Sequence, residues 1–186
     1  GDVPYTTTQR RQLIQQIDTI PSDADFVIHV GDIRSARNQS NYCSLEEYED
    51  VASILKASPI PVFIVLGDNE WNDCPNPNQG WNYWHRTLQS LESHWPHNFQ
   101  IDRLVGRPQT FTFVHKGALY IGLNLVGGRN LNGAEWTSRL EEQAEWTIDL
   151  IRSHELPAVI FAHANPGNNH NDFFVPLTNF IQNEWR

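Results

Sequence analysis

Three polar clusters stand directly after short apolar runs: Gly31-Asp32, Gly67-Asp68-Asn69-Glu70 and His163-Ala164-Asn165-Pro166. A fourth, Gly1-Asp2-Val3-Pro4-Tyr5, has the same look without an apolar run in front of it. Taken singly, Gly-Asp after a strand is ordinary turn chemistry. Taken together, carboxylates and an imidazole converging on one crevice would repel or lose hydration unless a cation compensated them. A metal pair gives that compensation, lowers the pKa of bound water and neutralises a phosphoryl group in transfer. Oxygen and nitrogen donors of this mix suit iron, manganese or zinc alike.

The elements that must carry these clusters are legible in the periodicity. Leu13, Ile14, Ile17 and Ile20 lie at helical spacing behind hydroxyl caps at Thr6 to Thr8. A short strand is expected over 25–30, then a helix from a Ser44/Glu47 capping box to about Ala57. Pro59 and Pro61 stop that helix and lead into a strand over 62–66. The string DCPNPNQG, 73–80, reads as a loop, and 81–93 as helical. Two β-rich runs, 110–114 and 118–126, flank Lys116-Gly117 as a hairpin. A long helix over 134–154, a strand over 158–162 and a helix over 172–185, despite Pro176, complete the series. Strands alternating with helices predict a layered α/β domain over 1–186, partly parallel, with a hairpin insertion. In open sheets of this kind ligands bind beyond the carboxyl ends of the strands, where the four clusters fall.

A chain of 186 residues is enough for one sizeable core. The net charge of −9 argues against nucleic acid or an anionic membrane as the main partner. No apolar run approaches the length of a membrane helix. The two cysteines, Cys43 and Cys74, leave one pairing. Reduced, buried thiols would be the default inside a cell, but Asn38-Gln39-Ser40 is a glycosylation sequon, and the balance favours a secreted or extracytoplasmic protein with a Cys43–Cys74 disulfide. Seven tryptophans against two lysines, Lys56 and Lys116, are unusual and suggest no function by themselves.

In their order and gaps, Asp2, Gly31-Asp32, Gly67-Asp68-Asn69-Glu70 and His163-Ala164-Asn165-Pro166 resemble the calcineurin-like metallophosphoesterases, over nearly the whole chain. The closer likeness is to a branch with GDxPY and GDNEWxDC motifs, read here as GDVPY and GDNEWNDC. That branch also has a cysteine matching Cys43, which adds to the case for the disulfide. The resemblance implies a β-sandwich flanked by helices and two divalent or trivalent metal ions. Asp2 would hold the first ion, Asp32 would bridge both, and Asp68 and His163 would hold the second. A metal-bound hydroxide would attack phosphorus in line with the leaving oxygen of a phosphate mono- or diester. Asn69 would touch the phosphate, Glu70 would orient the loop, and Trp71 would wall the pocket or simply pack. Arg34, two residues past Asp32, would meet a phosphate oxygen or remain a solvated loop arginine.

The sequence departs from the family in three places. Pro4 stands where a DxH motif has its histidine; Tyr5 offers an oxygen in its place or serves packing alone. Asn69 replaces the histidine that protonates the leaving group, a contribution typically worth about 10²–10⁴-fold. The family's terminal GHxH has no counterpart. His170 follows no strand and reads as an exposed loop residue, while His29, inside a strand, reads as a satisfied core histidine. The chain is therefore expected to be a fragment without the fold's first and last strands, its sheet completed by missing segments or by another chain. Two functions follow: a metal-dependent phosphoesterase, or a non-catalytic relative serving as a structural, assembly or binding module.

Overall fold

A computed structural model describes residues 1–35 and 43–185. The sequon at Asn38 lies outside the described residues.

Helix α1, Thr7–Asp18, starts where the Thr6 hydroxyl accepts the Gln9 N–H at 3.2 Å, and it buries Leu13 and Ile17. Strand β1, Val27–His29, lies parallel to β2, Val62–Ile64, with Val27 opposite Val62. Between them runs α2, Leu45–Lys56, where the Glu47 carboxylate accepts the Ser44 N–H at 3.0 Å and completes the capping box read in the sequence. Helix α3, Pro77–Thr87, follows. A four-stranded sheet then forms from β3 (Asp102–Leu104), β4 (Arg107–His115), β5 (Ala118–Gly122) and β6 (Ala158–Phe161), in that spatial order. Its β3–β4 and β4–β5 pairs are antiparallel and β5–β6 is parallel. The connection between β5 and β6 contains α4, Gly133–His154, and α5, Asn171–Asn183, closes the described chain.

Period-2 alternation divides the apolar residues into three cores. On β2, Val62 and Ile64 face α1 and α2 in one core, while Phe63 on the opposite side meets Phe111 and Phe113 of β4 in another. On β5, Leu119 and Ile121 join α4 and α5 in the third core, and Tyr120 turns towards the aromatic one. The Phe63 and Phe113 rings lie 4.5 Å apart at 21°, sealing the two sheets face to face. The result is helices, sheet, sheet, helices. This is the helix-flanked β-sandwich expected, and each helix and strand read in the sequence has a counterpart in the same order.

Two elements differ from the sequence reading. Helix α3 begins inside the stretch read as a loop, because the Asn76 side chain accepts the Gln79 N–H and Pro77 takes the first helical position, where no N–H is needed. Turn residues here cap a helix. Strand β3 went unread because its charged residues, Asp102 and Arg103, give no apolar run; it forms by pairing with β4. A Cys43–Cys74 disulfide ties the entry of α2 to the segment before α3.

Candidate metal centre

The four clusters do meet. Gly31 and Gly67 end β1 and β2 so tightly that a methyl group on Gly67 would collide with the Asp32 backbone and carboxylate. Asp32 sits at φ 57°, and Asp2 at φ 60°, with its N–H donating to the Gly31 carbonyl at 3.0 Å. The N-terminal segment is also pinned by His29, whose Nε2 lies 3.1 Å from the Val3 carbonyl. Burial pushes the His29 pKa down to about 4, so the ring is neutral and Nε2–H is the donor. That histidine is in the core, as read, although its Nδ1 has no partner among the described residues.

His163 follows β6 and donates Nδ1–H to the Val30 carbonyl at 2.9 Å. Its Nε2 is thereby directed at Asp32 Oδ1, 3.3 Å away, and Asp68 Oδ1, 3.8 Å away. A backbone carbonyl that fixes the far nitrogen is the usual way an imidazole is held for a metal. Asp2, Asp32 and His163 each bring one ligand atom within 4.8 Å of the others. Asp68 completes the group through its contact with His163.

Asp32 is the most constrained of these residues. Its Oδ1 accepts the Asn69 N–H at 3.1 Å; its Oδ2 accepts the Tyr5 hydroxyl at 2.6 Å and the Asn69 Nδ2–H. The open question over Tyr5 closes on a contact with the acidic cluster: its O–H donates to Asp32. Burial and that bond to Asp32 push the phenol above its ordinary range. Asn69 points at Asp32 and Tyr5, and is absent from the lining of the open pocket. Glu70 is fully buried, and its Oε1 accepts the Gly67 N–H at 2.7 Å and the Asp32 N–H at 3.1 Å. It braces the turn from behind.

Arg34 has surroundings that do not favour a phosphate contact. It is buried, its Nε bonded to Glu47 at 3.0 Å and its Nη1 to the Asn69 carbonyl at 3.2 Å, next to the disulfide. Buried rather than solvated, and absent from the lining of the pocket beside Asp68 and His163, it fastens the loop to α2. His170 also departs from its reading. It is buried, with Nε2 bonded to the Val126 carbonyl at 2.9 Å and its ring 5.9 Å from Trp136. A short 3-10 turn, Asn168–His170, packs it against α4, and nothing in the periodicity of the sequence marks that turn.

The cluster opens on a pocket of about 530 Å³ lined by Asp2, Asp68, His163, His170 and three asparagines, Asn165, Asn168 and Asn169. Asn165 belongs to a cluster read in the sequence; Asn168 and Asn169 were missed, and their signal was the polar run that follows His163. Among the described residues, no lysine or arginine lines the pocket. Burial and then Asp32 raise the Asp68 pKa to about 6, and the same causes raise Glu70 to about 8. Burial opposes charge on His163, but Asp32, the Val30 carbonyl, Glu70 and Asp68 outweigh it and raise its pKa. Crowded acids with an imidazole nitrogen aimed between them fit a metal ion.

A pH dependence follows for the metal-free protein. An acid whose pKa is raised by folding stabilises the fold below its unfolded pKa, near 4 for carboxylates, and that stability is lost as pH rises through the folded value. Asp68 and Glu70 place the loss around pH 6 and pH 8. Chelator-treated protein should therefore melt lower at pH 8 than at pH 5, and added Mn²⁺ should raise the melting temperature more at pH 8. Calorimetry at both pH values checks this; an equal shift at both would contradict it.

The sequence model of the calcineurin-like phosphoesterases matches residues 2–179, and the chain belongs to that family. No curated protein and no solved structure matches it.

Proposed function

We propose that the chain is a metal-dependent phosphoesterase whose cation is held by Asp2, Asp32, Asp68 and His163. The observation that carries this reading is His163, its Nδ1 fixed by Val30 and its Nε2 facing two carboxylates. A cation there would polarise a phosphoryl group and neutralise the charge that builds up on it. The resemblance implied two ions. Asp2, Asp32 and His163, whose ligand atoms lie within 4.8 Å of one another, support one. The Cys43–Cys74 disulfide supports export to an oxidising compartment.

The chain's own residues define the reaction it can support. Asn69, Tyr5 and Glu70 hold Asp32 in place, and the pocket asparagines bond to substrate oxygen atoms. The family's proton-donating histidine has no direct counterpart among the described residues: Asn69, in its place, carries an amide turned onto Asp32, and His170 is engaged with Val126. Esters of acidic alcohols, whose oxygen departs unprotonated, are the substrates this site can turn over best. The non-catalytic reading retains one specific support, the turning of Asn69 and Tyr5 onto Asp32 and away from the pocket.

Metal analysis of the purified protein, paired with hydrolysis of 4-nitrophenyl phosphate and of an alkyl phosphate, tests the reading. Expected are about one equivalent of manganese, iron or zinc and aryl ester turnover faster by the order of 10²–10⁴ that general acid catalysis would otherwise narrow. Bound metal without hydrolysis of either ester would turn the assignment to the binding module. Absence of bound metal would remove the enzymatic reading.

A further inference from the structure

Away from the acidic pocket, and sharing no lining residue with it, lies a cleft of about 300 Å³ between α3 and the start of α4. Trp71 and Trp81 wall it, Leu131 lies half-exposed at its edge, and Asn78, Gln109, Asn124, Asn132 and Glu135 surround them. The two indole rings are 5.1 Å apart and tilted at 54°. That separation leaves no room for a planar ring between them, so they form one wall against which a ligand lies.

The wall is rigid before anything binds. The Arg139 guanidinium lies 5.1 Å from the Trp71 ring on one side and 4.8 Å from Trp136 on the other, and Trp81 stacks at 6.0 Å on His85. Beneath it the polar groups are incompletely paired. Asn124 Nδ2, a donor, and Gln109 Oε1, an acceptor, are buried with no hydrogen-bond partner among the described residues. Among the described residues, the one cation of the lining, Arg107, is bonded to both Glu135 and Glu142. The cleft thus combines an aromatic wall, amides with unmet donors and acceptors and, among the described residues, no unengaged positive charge for an anion.

We propose that this cleft is a carbohydrate-binding subsite that takes one face of a neutral pyranose. A sugar ring presents an apolar C–H face to an indole and, around its rim, hydroxyls that donate and accept at once. Those hydroxyls suit the exposed amides of Asn78 and Asn132, and a small shift of the side chains behind them would open the complementary orphans at Asn124 and Gln109. A nucleotide or sugar phosphate would lack a counter-charge here. The preformed wall lowers the ordering cost of binding. Because Trp71 directly follows Glu70, a sugar held here would lie close in sequence to the Gly67–Glu70 turn without touching the acidic cluster.

The test is titration of the full chain with three neutral disaccharides, cellobiose, maltose and chitobiose, read by saturation-transfer NMR and tryptophan emission. At least one should bind saturably, with transfer concentrated on the protons of one ring face. Trp81→Ala should weaken that binding at least about tenfold, as loss of a central aromatic anchor does. If Trp81→Ala does not fold, Trp81→Phe, with an unchanged circular dichroism spectrum, should weaken it severalfold, and so should Asn78→Ala. Asp32→Asn should bind the sugar as the parent does. Failure of all three sugars, saturation of adenosine or a prolyl peptide in their place, or binding indifferent to Trp81 and Asn78 would overturn the proposal. None of these outcomes depends on whether the acidic pocket hydrolyses phosphoesters.

Discussion

Asp32→Asn should all but abolish phosphoester hydrolysis while leaving the metal-free fold as stable as the parent or more so. Both halves of the expectation come from one carboxylate. Asp32 is the residue that His163, Tyr5 and Asn69 all address, and its burial leaves no solvent to replace the lost charge. Losing an outer partner of a metal ligand typically costs about 10–100-fold in affinity or activity, and losing the ligand itself costs more. Asn69→Ala, which removes only the amide support, should fall in that smaller range. The same negative charge raises the pKa of Asp68 and Glu70 by repulsion, so neutralising it relieves the metal-free cluster. Kinetics on 4-nitrophenyl phosphate and calorimetry of chelated samples read the two halves separately. Hydrolysis undiminished in Asp32→Asn would remove Asp32 from the reaction.

Opening the Cys43–Cys74 bridge should be the most damaging single change to stability. The cysteines are 31 positions apart, and closing a loop of that size stabilises by about 3–4 kcal/mol on the chain-entropy model. In a chain of this length that lowers the melting temperature by about 10 °C. The site should be affected as well, since the Asn69 carbonyl accepts from Arg34 beside the bridge, and Asn69 in turn holds Asp32. The Cys43→Ser/Cys74→Ser variant is therefore expected to bind metal more weakly as well as to melt earlier. A melting temperature unmoved by dithiothreitol would show that the two sulfurs are not joined in the working protein.

The sequence revealed those parts of the site that depend on residue type at a strand end, and left unread those that depend on side-chain direction. The meeting of Asp2, Asp32, Asp68 and His163 was legible because a glycine followed by an acid, or a histidine after an apolar run, recurs at the ends of strands that two packed sheets bring together. The layered fold was legible for the same reason, because strands of period two and helices of period 3.6 alternate along the chain. What failed was direction. Asn69 and Tyr5 turn onto Asp32, and Arg34 turns onto Glu47, because each finds a partner distant in sequence. His170 is buried by a turn whose only cue is a run of asparagines. Helix α3 was hidden by Asn76 and Pro77, residues that terminate one structure and begin another with equal ease.

Strand β6 has a consequence of a different kind. Among the described residues it lies at the margin of its sheet, with Val159 and Ile160 exposed. A bare margin of that sort is a template on which another extended chain can add itself. Crowding of the polypeptide, rather than heat or acid, is therefore the handling hazard to expect, and solubility of this chain should improve most from a lysine at position 160.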